Sequence, residues 1–234
     1  MDEQTVAKLV QLNRDFYQSF AQPFAETRAT PQPGFARLVG SLSPGPHTVL
    51  DIGCGDGRFG RFLRDSGVEI SYTGVDLTPQ LLVYARSAED DILLTRDINR
   101  EDSLSDLPKF SCIACLSTLQ HIPGHANRVR LLREMGEHLT DNGIMFLGNW
   151  QFMDSERQRR KLRDWEIADI DAHDVGQEDF LLSWNRGGSG LRYVAYLDEP
   201  MTRQLAHEAG LQIIESFRSD GREGNLNLYS ILTG

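Results

Sequence analysis

The sequence predicts a single doubly wound α/β domain with a seven-stranded, mostly parallel sheet whose last strand is antiparallel. Three observations predict this fold. Short apolar runs alternate with amphipathic stretches, the pattern of repeated βαβ units, so we expect a helix between all strands except the last two. The first apolar run passes directly into a glycine-rich turn and a helical segment. The last two runs have no helical segment between them, which predicts a hairpin that reverses the final strand.

Five strands and their helices come first. The strands are predicted in HTVLDIG, ISYTGVDL, DILLTRDI, FSCIACLS and IMFLGNW. One helix should stop at Gly67, because glycine favours the left-handed cap conformation. Another should begin with Thr78 as N-cap and Pro79 at its first position. A third, with apolar residues at helical spacing, is expected after Pro123 and should end at the Asp-Asn-Gly turn of residues 141–143.

Two segments lie outside this alternation. Residues 1–33 carry apolar residues at helical spacing and should form a helical cap over the mouth of the sheet, ahead of the core at 34–150. Residues 151–197 contain a charged stretch and the polar loop SWNRGGSGLRY, and are expected as an insertion at the ligand-binding edge. Residues 198–234 supply a helix from Pro200 and the final hairpin, LQIIESF and NLNLYSILT.

The charge balance disfavours a nucleic-acid-binding surface. The chain has 24 basic and 34 acidic residues, a net charge of −10, whereas nucleic-acid-binding domains are usually basic. A small or neutral partner is favoured. No apolar run reaches the roughly 18 residues of a membrane span, and the start lacks the basic and apolar regions of a secretion signal. We therefore expect a cytoplasmic protein with no membrane association.

The cysteines do not indicate a disulfide framework or a metal site. There are three, Cys54, Cys112 and Cys115, too few to staple a chain of this length. Cys112 and Cys115 form a C-x-x-C within a predicted strand, where residues three apart point to opposite faces. Two core thiols are therefore expected rather than a metal or redox pair.

The sharpest motif is VLDIGCGDG, in which a strand runs into Gly53, Gly55 and Gly57. Glycine permits a tight turn and close approach of a ligand to the backbone. In a dinucleotide fold the third glycine would come one place later, where Arg58 stands, and would help to hold a pyrophosphate. The carboxylate of Asp51 suits a cationic ligand better. S-adenosylmethionine carries a sulfonium and an ammonium and no phosphate, although a simple tight turn remains the alternative.

Acidic and polar residues follow the next strands. Asp76 ends the second strand 19 residues after Gly57, where a carboxylate can accept hydrogen bonds from both ribose hydroxyls. The alternative is a helix-capping or solvated aspartate. Asp97 could meet an adenine amino group and Ile98 could offer its backbone N–H to the ring, although Asp97 could equally be a surface residue. Ser117 ends the fourth strand, which in such sheets faces the reacting centre.

Together, VLDIGCGDGRFG, the acidic end of GVDL, the RDI segment and CLSTLQHI resemble the successive motifs of class I S-adenosylmethionine-dependent methyltransferases, over residues 47–150. The resemblance implies a Rossmann-like sheet, S-adenosyl-L-methionine as cofactor, methyl transfer as activity, and residues 34–150 as the cofactor-binding core. It implies cofactor contacts at Asp51, Gly53, Gly55, Gly57, Asp76, Leu77, Asp97, Ile98 and Ser117.

A narrower resemblance covers the ends of the chain. FYQSFAQPFAETRATPQPG and LRYVAYLDEPMTRQLAHEAGLQIIES are similar to segments of the tRNA wobble-uridine carboxymethyl methyltransferases. This resemblance implies that Tyr17, Arg28 and His121 lie at the cofactor and substrate pocket, and that tRNA is a possible partner. The chain departs from that family where Gln120-His121 replaces a histidine pair and where Tyr196 stands near the usual Phe.

Methyl transfer needs alignment and exclusion of water, and needs a general base only for a protonated acceptor. His121 is the best base candidate, because imidazole titrates near neutral pH; the alternative is an orienting histidine. The basic run of residues 157–163 is expected to be a solvated helical face or an RNA contact. Arg222, Asn225 and Asn227 either face the substrate or form the polar face of a strand.

Several functions therefore stay open at the sequence level. A small-molecule oxygen, carboxylate or nitrogen is the favoured methyl acceptor because of the acidic net charge, and a tRNA uridine is the second candidate. A nucleoside-binding regulatory module without catalysis is a third. A nicotinamide-dependent oxidoreductase is disfavoured by Arg58 in the place of the third glycine.

Overall fold

The fold is built on one large and one small sheet, as seen in a computed structural model that describes residues 1–28, 30–85 and 88–234. The strands are β1 (His47–Ile52), β2 (Ile70–Asp76), β3 (Ile92–Thr95), β4 (Phe110–Leu116), β5 (Leu139–Trp150), β6 (Leu162–Arg163), β7 (Asp179–Trp184), β8 (Gly190–Ala195), β9 (Gln212–Ser219) and β10 (Asn227–Thr233). The helices are α1 (Glu3–Ser19), α2 (Ala21–Glu26), α3 (Gly34–Val39), α4 (Arg58–Asp65), α5 (Pro79–Leu82), α6 (His125–Glu137), α7 (Glu156–Arg159) and α8 (Glu199–Glu208).

The large sheet has seven strands in the order β3-β2-β1-β4-β5-β10-β9. Strands β1 to β5 pair in parallel, and β10 runs antiparallel to both of its neighbours, β5 and β9. The predicted fold class is therefore confirmed, with the antiparallel last strand inserted beside β5. The strand order reverses between β1 and β4, and the crevice at the carboxyl ends of these strands is where such sheets bind ligands.

Side chains of β4 alternate between two buried layers. Cys112 and Ala114 pack into one layer and Ile113 and Cys115 into the other, and all four are 0% exposed. The two thiols therefore face opposite sides of the sheet, as the strand geometry requires. Burial raises the pKa of the Cys115 thiol to about 12, so this side chain behaves as a neutral core residue.

Two predicted helix features were wrong. The connection from β3 to β4 forms turns instead of a helix within the described residues; it is held by the backbone N–H of Leu104, which donates to Glu134 at 2.6 Å. Helix α6 ends at Glu137, before the predicted Asp-Asn-Gly stop. Leu139 already pairs with Phe110, and the turn becomes an irregularity within β5. Pairing with β4 outweighs the local turn signal.

The segment of residues 151–197 contains the small sheet, in the order β6-β7-β8 with antiparallel pairs. The sequence predicted a polar loop over residues 183–193. The loop itself is shorter, residues 185–189, because β7 and β8 extend into the two ends of that stretch. Gly187 and Gly188 have positive φ angles of 71° and 137°, which allow the chain to reverse between β7 and β8. The strand ends within this stretch include serine, glycine and arginine. They therefore lack the apolar alternation that is the main strand signal.

The N-terminal helix lies on this small sheet. The Asp2 side chain caps α1 by accepting a hydrogen bond from the backbone N–H of Thr5 at 2.7 Å. The buried side of α1 carries Leu9, Asn13 and Phe16, and it packs against β8. The N-terminal segment is thus helical and lies beside the small sheet. In the described ranges, we find no helix that combines the length and apolar character needed to cross a bilayer.

Candidate active site

A cavity of about 500 Å³ opens at the carboxyl ends of the central strands, between the large sheet, the N-terminal cap and the insertion. We call it the central cavity. Ten of the twelve predicted site residues line it: Tyr17, Arg28, Asp51, Gly53, Gly55, Asp76, Leu77, Ile98, Ser117 and His121. Gly57 and Asp97 do not.

The three glycines of the loop after β1 all have left-handed backbone, with φ of 67°, 56° and 69°. A Cβ on Gly53 would lie 2.2 Å from Oγ1 of Thr118, and one on Gly57 would lie 2.4 Å from the carbonyl oxygen of Ala85. A Cβ on Gly55 would meet nothing within 4 Å. Gly55 therefore keeps space open for a ligand, whereas Gly53 and Gly57 allow close packing of the protein itself. The predicted cofactor contact at Gly57 is not supported, because that residue faces Ala85.

Asp76 is 9% exposed at the end of β2. Its Oδ2 accepts a hydrogen bond from the N–H of Gly55 at 2.9 Å and its Oδ1 accepts one from the N–H of Thr78 at 2.8 Å. Burial raises its pKa, while these backbone donors lower it. The carboxylate therefore braces the glycine loop and lines the cavity, and its contact with a ribose stays a prediction. Each oxygen keeps a lone pair for a further donor.

Asp51 lies at the end of β1 and is 3% exposed. The Tyr72 hydroxyl donates a hydrogen bond to its Oδ2 at 2.8 Å. Burial raises the pKa of Asp51 to about 7, although Tyr72 opposes the shift. The ionised form is therefore disfavoured in the free protein, and a cation in the cavity would stabilise it.

Asp97 was predicted at an adenine, but it does not line the central cavity. Its Oδ2 accepts a hydrogen bond from Arg14 at 3.2 Å, and its Oδ1 accepts from the side-chain amide of Asn99 at 2.9 Å. Ile98 and Asn99 line the cavity instead, and the buried Oδ1 of Asn99 has no hydrogen-bond partner among the residues that the structure describes. Its position two residues after Asp97 is the only local signal that could have identified Asn99.

Ser117 has φ of 62°, an unusual backbone conformation for a residue with a side chain. Its N–H donates to the carbonyl of Gly148 at 2.7 Å, which anchors the turn after β4 to β5. Left-handed backbone at a non-glycine residue costs about 1–3 kcal/mol and clusters at functional sites. The strain agrees with the predicted site role of Ser117.

His121 and Tyr17 form a hydrogen-bonded pair at the wall of the cavity. Nδ1 of His121 lies 3.0 Å from the carbonyl oxygen of Tyr193, and Nε2 lies 3.0 Å from the Tyr17 hydroxyl. A carbonyl only accepts, so Nδ1 carries the proton, Nε2 accepts, and Tyr17 donates. Burial, with the charge of Arg192, lowers the pKa of His121 to about 3. The orienting alternative is favoured over a general base, whose pKa should lie near the working pH.

Charged side chains differ between the walls of the cavity. The glycine-loop wall contributes the carboxylates of Asp51, Asp56 and Asp76, together with the cation Arg58. The insertion contributes the cations Lys161 and Arg192, and neither has a carboxylate within ion-pair distance among the residues that the structure describes. The glycine-loop wall is therefore mixed in charge, whereas the charged residues that the insertion contributes are cations.

The basic run is only partly a solvated helix. Helix α7 covers Glu156–Arg159 alone, and the chain then turns into β6, so the predicted continuous helix was wrong. The arginines of the run are exposed: Arg157, Arg159, Arg160 and Arg163. Lys161 lines the central cavity instead, because the turn after α7 directs the chain back towards β7.

Other residues singled out from the sequence fall inside and outside the cavity. Asn227 lines it, whereas Arg222 and Asn225 do not. The Tyr196 hydroxyl donates to Asp154 at 3.1 Å, away from the cavity. Sequence reasoning missed the cavity-lining residues Trp184 and Arg192, because they belong to the hairpin that was predicted to be a loop.

Comparison with known proteins finds a family model that matches part of the chain. Residues 50–145 match the family model described as a methyltransferase domain. The dTDP-3-amino-3,6-dideoxy-alpha-D-glucopyranose N,N-dimethyltransferase of Streptomyces fradiae is 30% identical over 118 residues, which are 50% of this chain and 45% of that protein. The matched region thus spans about half the length of this relative.

Solved structures share the whole fold. The DhpI-SAM-HEP complex gives a TM-score of 0.68 at 13% identity and covers 100% of both chains. The 1,6-didemethyltoxoflavin-N1-methyltransferase of Burkholderia thailandensis, solved with 1,6-didemethyltoxoflavin and S-adenosylhomocysteine, gives 0.64 at 17% identity and covers 100% of this chain and 91% of that one. At these identities the likeness shows the Rossmann-like fold of methyltransferases.

Proposed function

We propose that this protein is a class I methyltransferase dependent on S-adenosylmethionine and that it methylates a small molecule bound in the central cavity. The methyltransferase-domain match over residues 50–145 and the shared fold support this. The acceptor atom is an oxygen, including a carboxylate oxygen, or a nitrogen. The observation that carries the proposal is that a single cavity of about 500 Å³ joins the carboxylate-lined glycine loop to walls from the cap and the insertion. Cavities of this size enclose small ligands.

The glycine-loop wall fits S-adenosylmethionine. Gly55 leaves the space that a Cβ would otherwise fill, and Asp76 can accept from the ribose hydroxyls. The unpartnered Oδ1 of Asn99 can accept from the adenine amino group. Asp51 complements a cation, and Arg28 can bind the amino-acid carboxylate. When bound, the cofactor supplies a methyl group activated by a positively charged sulfur.

The residues of this chain orient the acceptor and exclude water. Tyr17 donates its proton to Nε2 of His121, which in turn is fixed by the carbonyl of Tyr193. The phenol oxygen of Tyr17 therefore keeps lone pairs to accept a hydrogen bond from an acceptor O–H or N–H. Phe24, Trp150 and Trp184 line the same cavity with aromatic surface, which favours a compact organic acceptor over a long polymer.

A labelled-methyl screen tests the proposal. The protein is incubated with S-adenosylmethionine carrying a labelled methyl group and with separate pools of small metabolites and of tRNA. We expect the label to enter the small-molecule pool, and Gly55→Ala to abolish transfer. Asp65→Ala, at an exposed acid on α4, should leave it unchanged. Label in tRNA alone would contradict the proposal, as would cofactor binding with no transfer to either pool.

A further inference from the structure

Arg192 is a buried cation without a matching anion. The residue, in β8, is only 6% exposed. Its Nη1 lies 3.5 Å from the Tyr17 hydroxyl, a long contact, and its buried Nε has no hydrogen-bond partner within the described ranges of the chain. No carboxylate of the described residues lies within ion-pair distance of it. A buried charge is costly unless it is paired, so the folded chain leaves this one uncompensated.

A second buried arginine shows how this fold satisfies a structural guanidinium. Arg128 is 0% exposed, and its nitrogens contact Asp179 at 2.9 Å, Glu178 at 3.1 Å and the Tyr193 hydroxyl at 2.6 Å. These carboxylates offset the cost of burying the charge of Arg128 in the core. Arg192 lacks such partners, although it lies on the small sheet that supplies Asp179 and Tyr193 to Arg128.

The surroundings of Arg192 are aromatic and open to the central cavity. Its Cζ lies 5.4 Å from the ring centre of Phe16, 5.1 Å from that of Trp150 and 5.8 Å from that of Trp184. Ring faces attract a cation, but they accept none of its five N–H donors in the way that a carboxylate does. The guanidinium lines the cavity and is therefore available to a ligand.

Lys161 is the other cation that the insertion places on the cavity, which Arg28 and Arg58 also line. It is partly buried, and it also has no carboxylate partner among the described parts of the chain. Burial lowers its pKa, and so do the positive charges of Arg192 and Arg157. Cations that face one cavity repel each other until an anion enters between them.

On the basis of the proposed function, we infer that the methyl acceptor is an anion whose carboxylate, phosphate or phosphonate group is bound by Arg192 and Lys161. A planar guanidinium binds such oxyanions through two parallel hydrogen bonds, and an ammonium adds a point charge. The aromatic rings around Arg192 hold the organic part of the acceptor. The carboxylate of the cofactor is a second possible source of the anion, and the test separates the two.

The test measures binding of benzoate, phenylphosphonate and neutral benzamide to the full chain saturated with S-adenosylhomocysteine. Binding is followed by calorimetry and by tryptophan fluorescence, since two of the three tryptophans flank Arg192. We expect both anions to bind at least about tenfold more tightly than benzamide, because charge-assisted hydrogen bonds are worth about tenfold or more in affinity. Equal binding of benzoate and benzamide to the saturated wild type would overturn the inference without touching methyl transfer itself.

Substitutions test whether Arg192 and Lys161 are the residues that bind the anion. Arg192→Gln should weaken benzoate binding by about 10- to 100-fold and leave benzamide and S-adenosylhomocysteine binding unchanged, and Arg192→Lys should recover part of the loss. Lys161→Met should weaken benzoate binding less than Arg192→Gln does. Arg163→Gln, at an exposed arginine of the same sheet, is the matched control.

If Arg192→Gln weakened S-adenosylhomocysteine binding and spared benzoate, the anion would be the cofactor's and the inference would be wrong. If the wild type failed to bind S-adenosylhomocysteine at all, the proposed function would fall, and the inference with it.

Discussion

Gly55 and Gly57 are neighbours with similar left-handed backbone but different surroundings. Both have positive φ, 56° and 69°. The space around a Cβ on Gly55 is open, whereas a Cβ on Gly57 would overlap the backbone of Ala85. Alanine therefore meets a similar backbone cost at both positions, of about 1–2 kcal/mol, and an added steric cost at Gly57 alone.

Alanine at these two positions should have different main effects, on ligand binding at Gly55 and on stability at Gly57. Gly55→Ala should lower the free energy of unfolding by about 1–2 kcal/mol and abolish detectable binding of S-adenosylhomocysteine. Gly57→Ala should lower the free energy of unfolding by about 3 kcal/mol or more, because the backbone at Ala85 must move to make room for the Cβ. Urea unfolding and calorimetry measure the two effects. Tight nucleoside binding by Gly55→Ala would contradict the assignment of Gly55 to the ligand.

Asp51 predicts a pH dependence of cofactor affinity. Its pKa is raised to about 7, so below pH 7 the free protein holds a neutral acid there. Binding a cationic cofactor favours the ionised form and releases a proton. Affinity for S-adenosylmethionine should therefore rise with pH, by at most about tenfold per unit, and level off above roughly pH 7.

Calorimetry across pH 5–8 in buffers of different ionisation enthalpy checks the proton release from Asp51. Asp51→Asn should flatten the profile, while Asp65→Asn, at an exposed acid, should retain the wild-type slope. Identical profiles for wild type and Asp51→Asn would show that Asp51 does not meet the cation.

His121 predicts a fixed tautomer. Its pKa is lowered to about 3, and its Nδ1 donates to the carbonyl of Tyr193. We expect nitrogen NMR to show a neutral ring protonated on Nδ1, with no titration between pH 5 and 8, assigned by its loss in His121→Gln. The exposed ring of His173 provides a reference signal in the same spectra. A His121 signal that titrates near pH 6.5 would restore the general-base role.

At the scale of elements, the docking of α1 on the small sheet closes the central cavity. Asn13 lies on the buried side of α1, and its Oδ1 accepts a hydrogen bond from the backbone N–H of Tyr193 in β8 at 2.8 Å. Phe16 and Trp184 add an edge-to-face contact with ring centres 5.7 Å apart. The helix therefore holds the hairpin that carries Arg192 in position over the sheet.

Asn13→Ala tests this docking. The buried N–H of Tyr193 would lose its acceptor, at a cost of about 1–2 kcal/mol in the free energy of unfolding. The amide exchange of β8 should accelerate while that of β1 stays slow, since local opening exposes only the hairpin. Gln11→Ala, at an exposed position on α1, is the control. Unchanged exchange in β8 would mean that α1 does not hold the hairpin.

At the scale of the whole molecule, distant parts of the chain meet in one cavity. Tyr17 comes from the cap, His121 from the turn after β4 and Arg192 from the insertion, and hydrogen bonds link the three side chains. The net charge of −10 is not spread evenly, since the charged residues that the insertion adds to the cavity, Lys161 and Arg192, are both cations. Global charge therefore describes the acceptor surroundings poorly.

The predictability of the site follows from this arrangement. Asp51, Gly55 and Asp76 were predicted and line the cavity. They belong to short segments in which a strand ends and a turn begins, and strand ends in a parallel sheet meet at one edge. Asp97 was predicted at the same edge and lies outside the cavity, because Arg14 of the cap and the amide of Asn99 bind its carboxylate. A residue from another part of the chain decided that outcome.

By itself, the sequence determined the doubly wound sheet, the glycine turn and the carboxylates beside it, because apolar periodicity and glycine conformation act over a few residues. Only the tertiary structure decided the acceptor side: the second sheet, the neutral Tyr17–His121 pair and the unpaired charge of Arg192. These features depend on which surfaces pack together and on what water they exclude, and burial changes the energy of a charge in a way that no local pattern records.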